Sequence, residues 1–81
     1  MHMLDAVLLG KVIRRVREEK NLSQEVVSGL AGIGRTHLSA IERGARKPTM
    51  ETFFCLCEAM NIRPSYLMQR VEDEIAKSGK K

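Results

Sequence analysis

Two short amphipathic segments lie within residues 24–44, separated only by the three residues Gly-Ile-Gly at positions 32–34. So short a connection leaves room for nothing but a tight turn. Apolar residues in the first segment recur at the i, i+3 and i+4 spacing of one helix face, namely Val27, Leu30 and Ala31. Leu38 and Ile41 repeat the pattern in the second segment. The pattern predicts two short helices joined by a turn.

The second of these helices has a slim, polar and cationic outer face. Its other residues are small, polar or cationic and have no place in a core: Arg35, Thr36, His37, Ser39 and Ala40. Such a helix-turn-helix unit, here at about residues 23–43, places its second helix in the DNA major groove, which is wide enough to admit it. The sequence therefore predicts a sequence-specific DNA-binding protein.

Positive charge is concentrated on the part of the chain that contains this unit. The net charge is +4, but residues 11–47 carry nine cations against four anions, whereas residues 48–81 carry five of each. Because neutralising phosphates releases counterions, such an excess favours a polyanionic partner. An ordinary solvated surface is the alternative.

The 81 residues are enough for one small domain. We expect an all-α fold of five helices over residues 1–77, followed by a disordered tail at residues 78–81. The helices are predicted at about 5–20, 24–31, 35–43 and 50–60, and from residue 64 onwards. Asp5, Ser23 and Thr49 suit helix N-caps, Gly32 and Asn61 suit helix ends, and Pro64 suits a first helical position.

The sequence argues against a membrane-spanning segment, a metal site and a disulfide bond. No apolar run approaches membrane-spanning length, and the opening residues lack the basic lead of a signal peptide, so we expect a cytoplasmic protein. Cys55 and Cys57 point about 200° apart on a helix, which argues against a disulfide between them. We expect Cys57 in the core and Cys55 exposed and oxidisable, with a redox sensor as the weaker interpretation. The two cysteines and two histidines lack zinc-ligand spacing, and we expect no metal or cofactor.

Three sequence words carry a family resemblance: LSQE at residues 22–25, GIGRTHLSAIERG at 32–44 and RKPTMET at 46–52. With them the chain resembles the Cro and phage-repressor type of helix-turn-helix, also called the xenobiotic-response-element family, which implies a lambda-repressor-like fold. Gly34 departs from the pattern, since many members have a capping Ser there. Within the family the chain is most similar to the small controller proteins of restriction–modification systems. That similarity implies a stand-alone dimer that regulates its own operon.

The resemblance and the helix pattern together predict the DNA contacts. We expect base contacts from Arg35, Thr36, His37, Ser39 and Ala40, with Arg35 bonding guanine through both of its terminal nitrogens. Phosphate contacts are expected from Arg17, Gln24, Arg43, Arg46 and Lys47, with bracing of the recognition helix as the alternative role for Gln24. Glu42 either pairs internally with an arginine of the first helix or forms an ordinary exposed ion pair.

Helices four and five carry more apolar residues than one face can bury. This surplus predicts a homodimer interface that includes Phe54, Met68, Val71 and Ile75. A two-fold dimer would present two recognition helices about 34–36 Å apart, matching a palindromic operator. The alternative is a thicker monomeric core in which Leu4, Val7 and Leu8 cover the patch.

The leading functional hypothesis is a transcriptional regulator whose partners are double-stranded DNA and a second copy of itself. It would repress by occluding a promoter or activate through contact with RNA polymerase, and we expect no small-molecule ligand. The alternative is an antitoxin-type module whose helices four and five bind a toxin. An enzyme is not expected, because the chain has no acid–base pair, no nucleophile constellation and no phosphate-binding loop.

Overall fold

The computed structural model describes residues 4–79 and contains five α-helices. They are α1 (Ala6–Glu19), α2 (Gln24–Ala31), α3 (Arg35–Glu42), α4 (Met50–Ala59) and α5 (Pro64–Ser78). Residues 4–79 form no strand, which confirms the all-α prediction. None of these five helices has the length and apolar character needed to cross a membrane.

Three of the helices have side-chain N-caps, at the residues that the sequence predicts. An Asp5 carboxylate oxygen accepts from the Val7 amide at 2.9 Å, and the hydroxyls of Ser23 and Thr49 accept from amides three residues later. Each cap satisfies an amide that has no partner inside its own helix. Gly34 precedes α3 as its N-cap residue and provides no side-chain cap, as the departure from the family pattern indicates.

The helix ends also follow local sequence signals. Gly32 ends α2 with φ of 76°, a left-handed conformation that glycine adopts without steric cost. Asn61 follows α4 with φ of 57°, as predicted, and Asn21 plays the same role after α1, which we did not predict. α5 continues through Ser78, so the helix extends one residue into the tail that we predicted to be disordered. Lys80 and Lys81, the rest of that tail, lie outside the described residues.

The core lies where the five helices meet and is mostly aliphatic. Its largest fully buried side chains include one methionine: Ile13, Leu38, Ile41, Leu56, Met60 and Leu67. The prediction that Leu30 belongs to the inner face of α2 is wrong, because 69% of this residue is exposed. The buried face of α2 is formed by Val27, Ser28 and Ala31. At about 100° per residue, Leu30 falls roughly 100° from the centre of that face.

Gly10, in the second turn of α1, allows α1 to approach the end of α3 very closely. A Cβ atom at this position would lie 2.7 Å from the carbonyl oxygen of Glu42, and it would also collide with the carbonyl oxygen of Ile41. Only a residue without a side chain fits there. The contact fixes the position of α3 relative to α1.

The two cysteines differ in environment. Cys57 is fully buried, and burial raises the pKa of its thiol to about 11, whereas Cys55 is partly exposed. This confirms the prediction that Cys57 belongs to the core.

We expect iodoacetamide at pH 8 to alkylate Cys55 in the native protein and to leave Cys57 unmodified, because the reactive species is an accessible thiolate. Mass spectrometry of proteolytic fragments distinguishes the two sites. A Cys55→Ser variant should then remain unlabelled until denaturant is added. Equal labelling of both native thiols would contradict the burial of Cys57.

Candidate nucleic-acid interface

The α3 helix is held by its inner face and leaves its outer face accessible. Leu38 and Ile41 on this inner face are fully buried, and α3 contacts α1 and α2. Because these two side chains lie one turn apart on the same side, the opposite side of α3 is turned away from the core. The helix is therefore presented as a ridge on the surface.

All five predicted base-contact residues lie on the accessible part of this ridge. Arg35 and Thr36 are exposed, and His37, Ser39 and Ala40 are partly exposed. Ser39 and Ala40 are small, so the helix is slim where it would enter a groove. Their contacts with bases stay predictions.

The predicted phosphate contacts Arg43, Arg46 and Lys47 follow at the end of α3 and in the loop after it, and all three are exposed. One terminal nitrogen of Arg43 donates to the hydroxyl oxygen of Ser39 at 2.7 Å, which lays the arginine along the outer side of α3. The other guanidinium donors of Arg43 remain available for a phosphate.

Within residues 4–79, glutamates pair with every arginine of α1 and α5 but with none of the cations at this surface. The three arginines of α1 and both cations of α5 form ion pairs with glutamates: Arg14 with Glu18, Arg15 with Glu74, Arg17 with Glu42, Arg70 with Glu19 and Lys77 with Glu74. Among residues 4–79, no carboxylate pairs with Arg35, Arg43, Arg46 or Lys47. Uncompensated positive charge thus lies along α3 and its following loop, where it can attract phosphates.

Arg17 is removed from the predicted phosphate contacts, because its guanidinium is turned inward. Only 9% of Arg17 and 8% of Glu42 are exposed. The Nε and Nη2 atoms of Arg17 donate to the two carboxylate oxygens of Glu42 at 2.7 and 3.0 Å, and Nη1 donates to the carbonyl oxygen of Leu22 at 2.7 Å. The bond to Glu42 also raises the pKa of Arg17.

Gln24 has the bracing role that we considered as the alternative to a phosphate contact. Its side-chain amide donates to Glu42 at 2.9 Å. Glu42 at the end of α3 is therefore held by α1 through Arg17 and by the start of α2 through Gln24. This internal pairing confirms the structural interpretation of Glu42 and excludes the exposed ion pair. No sequence signal predicted that the Leu22 carbonyl would complete the cluster.

These features define a helix-turn-helix DNA-binding domain: five helices, with the second helix of the two-helix unit presenting a cationic surface. Residues 13–67 match the helix-turn-helix family model. The chain belongs to the helix-turn-helix family, in its Cro and xenobiotic-response-element branch, and it is a transcriptional regulator.

Relatives and solved structures agree with this assignment. The uncharacterised HTH-type transcriptional regulator y4dJ of Sinorhizobium fredii is 40% identical over 55 residues, which cover 68% of this chain and 71% of the relative. Control protein C.SmaI of Serratia marcescens is 33% identical over 63 residues, 78% of this chain and 75% of the relative. The crystal structure of the restriction-modification controller protein C.AhdI from Aeromonas hydrophila matches with a TM-score of 0.75 at 34% identity, covering 80% of this chain and 98% of that one.

Proposed function

We propose that this regulator binds a palindromic operator as a homodimer and serves as the controller protein of a restriction–modification system. The observation that carries the proposal is the accessible ridge of α3, whose cations have no carboxylate partner in the described structure. The similarity to C.SmaI and C.AhdI, which are named as control or controller proteins, supports the narrower role.

Specificity and affinity are assigned to different residues of this surface. Arg35 stands at the first turn of α3 and reads guanine, while Thr36, His37, Ser39 and Ala40 line the rest of the base-facing side. Arg43, Arg46 and Lys47 bond phosphates and fix the position of the domain on the duplex. Gln24 and Arg17 act indirectly, because they hold Glu42 and with it the end of α3.

Apolar side chains left exposed on α4 and α5 support the homodimer. Phe54, Met68 and Ile75 are all exposed, and 52% of Phe54 is accessible. Val71 is withdrawn from the predicted interface, because it is only 1% exposed and packs into the core. The alternative, in which N-terminal residues cover this patch, gains no support, because the three side chains stay exposed although Leu4 and Leu8 pack against the core.

Regulation then follows from operator position. Occluding a promoter suffices for repression, whereas activation requires that the bound dimer also contact RNA polymerase. A DNA operator as target implies action in the cytoplasm and requires no catalysis. The antitoxin hypothesis gains no support, since the relatives and structures named above are described as regulators or control proteins, and none as an antitoxin.

In vitro selection of bound duplexes at a fixed salt concentration tests the proposal, and two variants test the division of roles. We expect Arg35→Ala to relax the preference at one position in each half-site, a loss of about 1–3 kcal/mol of discrimination. Arg46→Ala should weaken binding to all duplexes about equally and reduce the salt dependence of binding by roughly one counterion.

Glu25→Gln is a suitable control, because Glu25 is exposed at the start of α2 and takes no part in the assigned contacts. Selection that returns no palindrome would contradict the homodimeric operator. If Arg35→Ala and Arg46→Ala weakened specific and random duplexes to the same extent, the separate roles would be wrong.

A further inference from the structure

An open groove of ≈ 560 Å³ runs beside α4 and the turn into α5. Its apolar wall is formed by Phe54, Cys55, Ile62 and Pro64. The groove is lined only by residues between 51 and 64, so the N-terminal residues Leu4, Val7 and Leu8 do not cover it. The recognition helix α3 contributes nothing to it either.

Charged residues of both signs stand around this apolar wall. Glu51, Glu58 and Arg63 line the groove, are exposed, and form no ion pair within residues 4–79. Glu51, Phe54 and Glu58 follow the i, i+3, i+7 spacing of one helix face, which puts Phe54 between the two carboxylates. Arg63 lies past the end of α4, at the same end of the groove as Glu58.

We propose that the surface around this groove packs against the same surface of a second copy of the chain. Arg63 of each copy then pairs with Glu51 of the other. The proposal rests on the homodimer inferred above and names the surface and the charges that make it. Pairing about a two-fold axis near Phe54 crosses the two α4 helices in opposite directions. That arrangement brings Glu51 of one copy to the end of the groove that holds Glu58 and Arg63 in the other copy, where Arg63 pairs with it.

Two further features favour a second copy over another occupant. A two-fold interface must be complementary to itself, and a surface that carries an acid at one end and a base at the other meets that requirement. The groove also continues along α5: Pro64, Met68 and Ile75 are spaced by four and seven residues and so share one helix face. The exposed Met68 and Ile75 thereby extend the same surface.

A charge exchange tests the pairing. Sedimentation velocity measures the dissociation constant of the dimer. For Glu51→Arg alone and for Arg63→Glu alone, this constant should rise at least about tenfold over the wild type, because like charges then face each other at both contacts. Mixing the two variants should restore a dimer that contains one chain of each, since both contacts become Arg–Glu pairs. The control Asp73→Arg makes the same change of charge as Glu51→Arg, but outside the groove, and should leave dimerisation unchanged.

Circular dichroism of each variant checks that the exposed substitutions leave the helices intact. If the wild type is dimeric but the mixture stays monomeric, the groove pairing is overturned while the proposed homodimer stands. A wild type that remains monomeric with and without operator DNA would overturn both the pairing and the homodimer on which it rests. An Asp73→Arg variant that dissociates like Glu51→Arg would also overturn the groove, since net charge alone would then account for the effect.

Discussion

Replacing Gly10 with alanine is expected to lower the free energy of unfolding by about 3 kcal/mol or more, enough to unfold much of so small a domain. The added Cβ would meet the backbone of Glu42, with 2.7 Å to its carbonyl oxygen and 2.9 Å to its carbonyl carbon. Backbone cannot rotate away as a flexible side chain can. Relief therefore requires α1 and α3 to separate, which also displaces the recognition helix. Urea denaturation followed by circular dichroism measures the loss.

Gly29→Ala is the matched control, because Gly29 is also inside a helix but a Cβ there would have nothing within 4 Å. Helix propensity alone favours alanine over glycine by about 1 kcal/mol, so this variant should be slightly more stable than the wild type. The two substitutions are chemically identical and should act in opposite directions. A Gly10→Ala protein as stable as Gly29→Ala would show that α1 and α3 are not in close contact.

Local features of the structure could be predicted because their causes are local. The caps at Asp5, Ser23 and Thr49 and the turn at Gly32 depend on side chains and backbone within three or four residues. The outer face of α3 was predictable for the same reason, since Leu38 and Ile41 define the inner side by spacing alone. Helix boundaries and the accessible outer face of α3 therefore followed from short sequence words.

Features set by contacts between helices could not be predicted in this way. From the sequence alone, Gly10 is only a residue of low helix propensity inside a predicted helix. The position of the Glu42 backbone shows why glycine is required there. Leu30 and Val71 were placed on the wrong side because spacing identifies an apolar stripe without showing which part of it a neighbouring helix covers. Pairing of Glu42 with an arginine of α1 was one of two expectations, but spacing did not show that this arginine is Arg17, 25 residues away in sequence, and Arg17 was assigned to phosphate instead.

Neutralising the buried carboxylate with Glu42→Gln is expected to cost about 3–5 kcal/mol of stability, because it leaves the buried guanidinium of Arg17 without a counter-charge. Glutamine keeps the shape of the side chain but puts a neutral amide in place of the carboxylate that accepts hydrogen bonds from Arg17 and Gln24. Since Glu42 joins α1 and the start of α2 to the end of α3, DNA affinity should fall along with the melting temperature. Thermal and urea unfolding, with operator binding at a temperature where the variant is still folded, measure both effects.

The exposed pair Arg14–Glu18 provides the comparison, with a nitrogen–oxygen distance of 3.0 Å and more than half of both side chains accessible. Glu18→Gln should cost less than about 1 kcal/mol, since exposed pairs are screened by water. A double variant, Arg17→Met with Glu42→Leu, should recover part of the stability lost in Glu42→Gln, because no unpaired charge then remains buried. If Glu42→Gln were no less stable than Glu18→Gln, the pair would not hold the two-helix unit in place, and the position of α3 would depend on apolar packing at Leu38 and Ile41 alone.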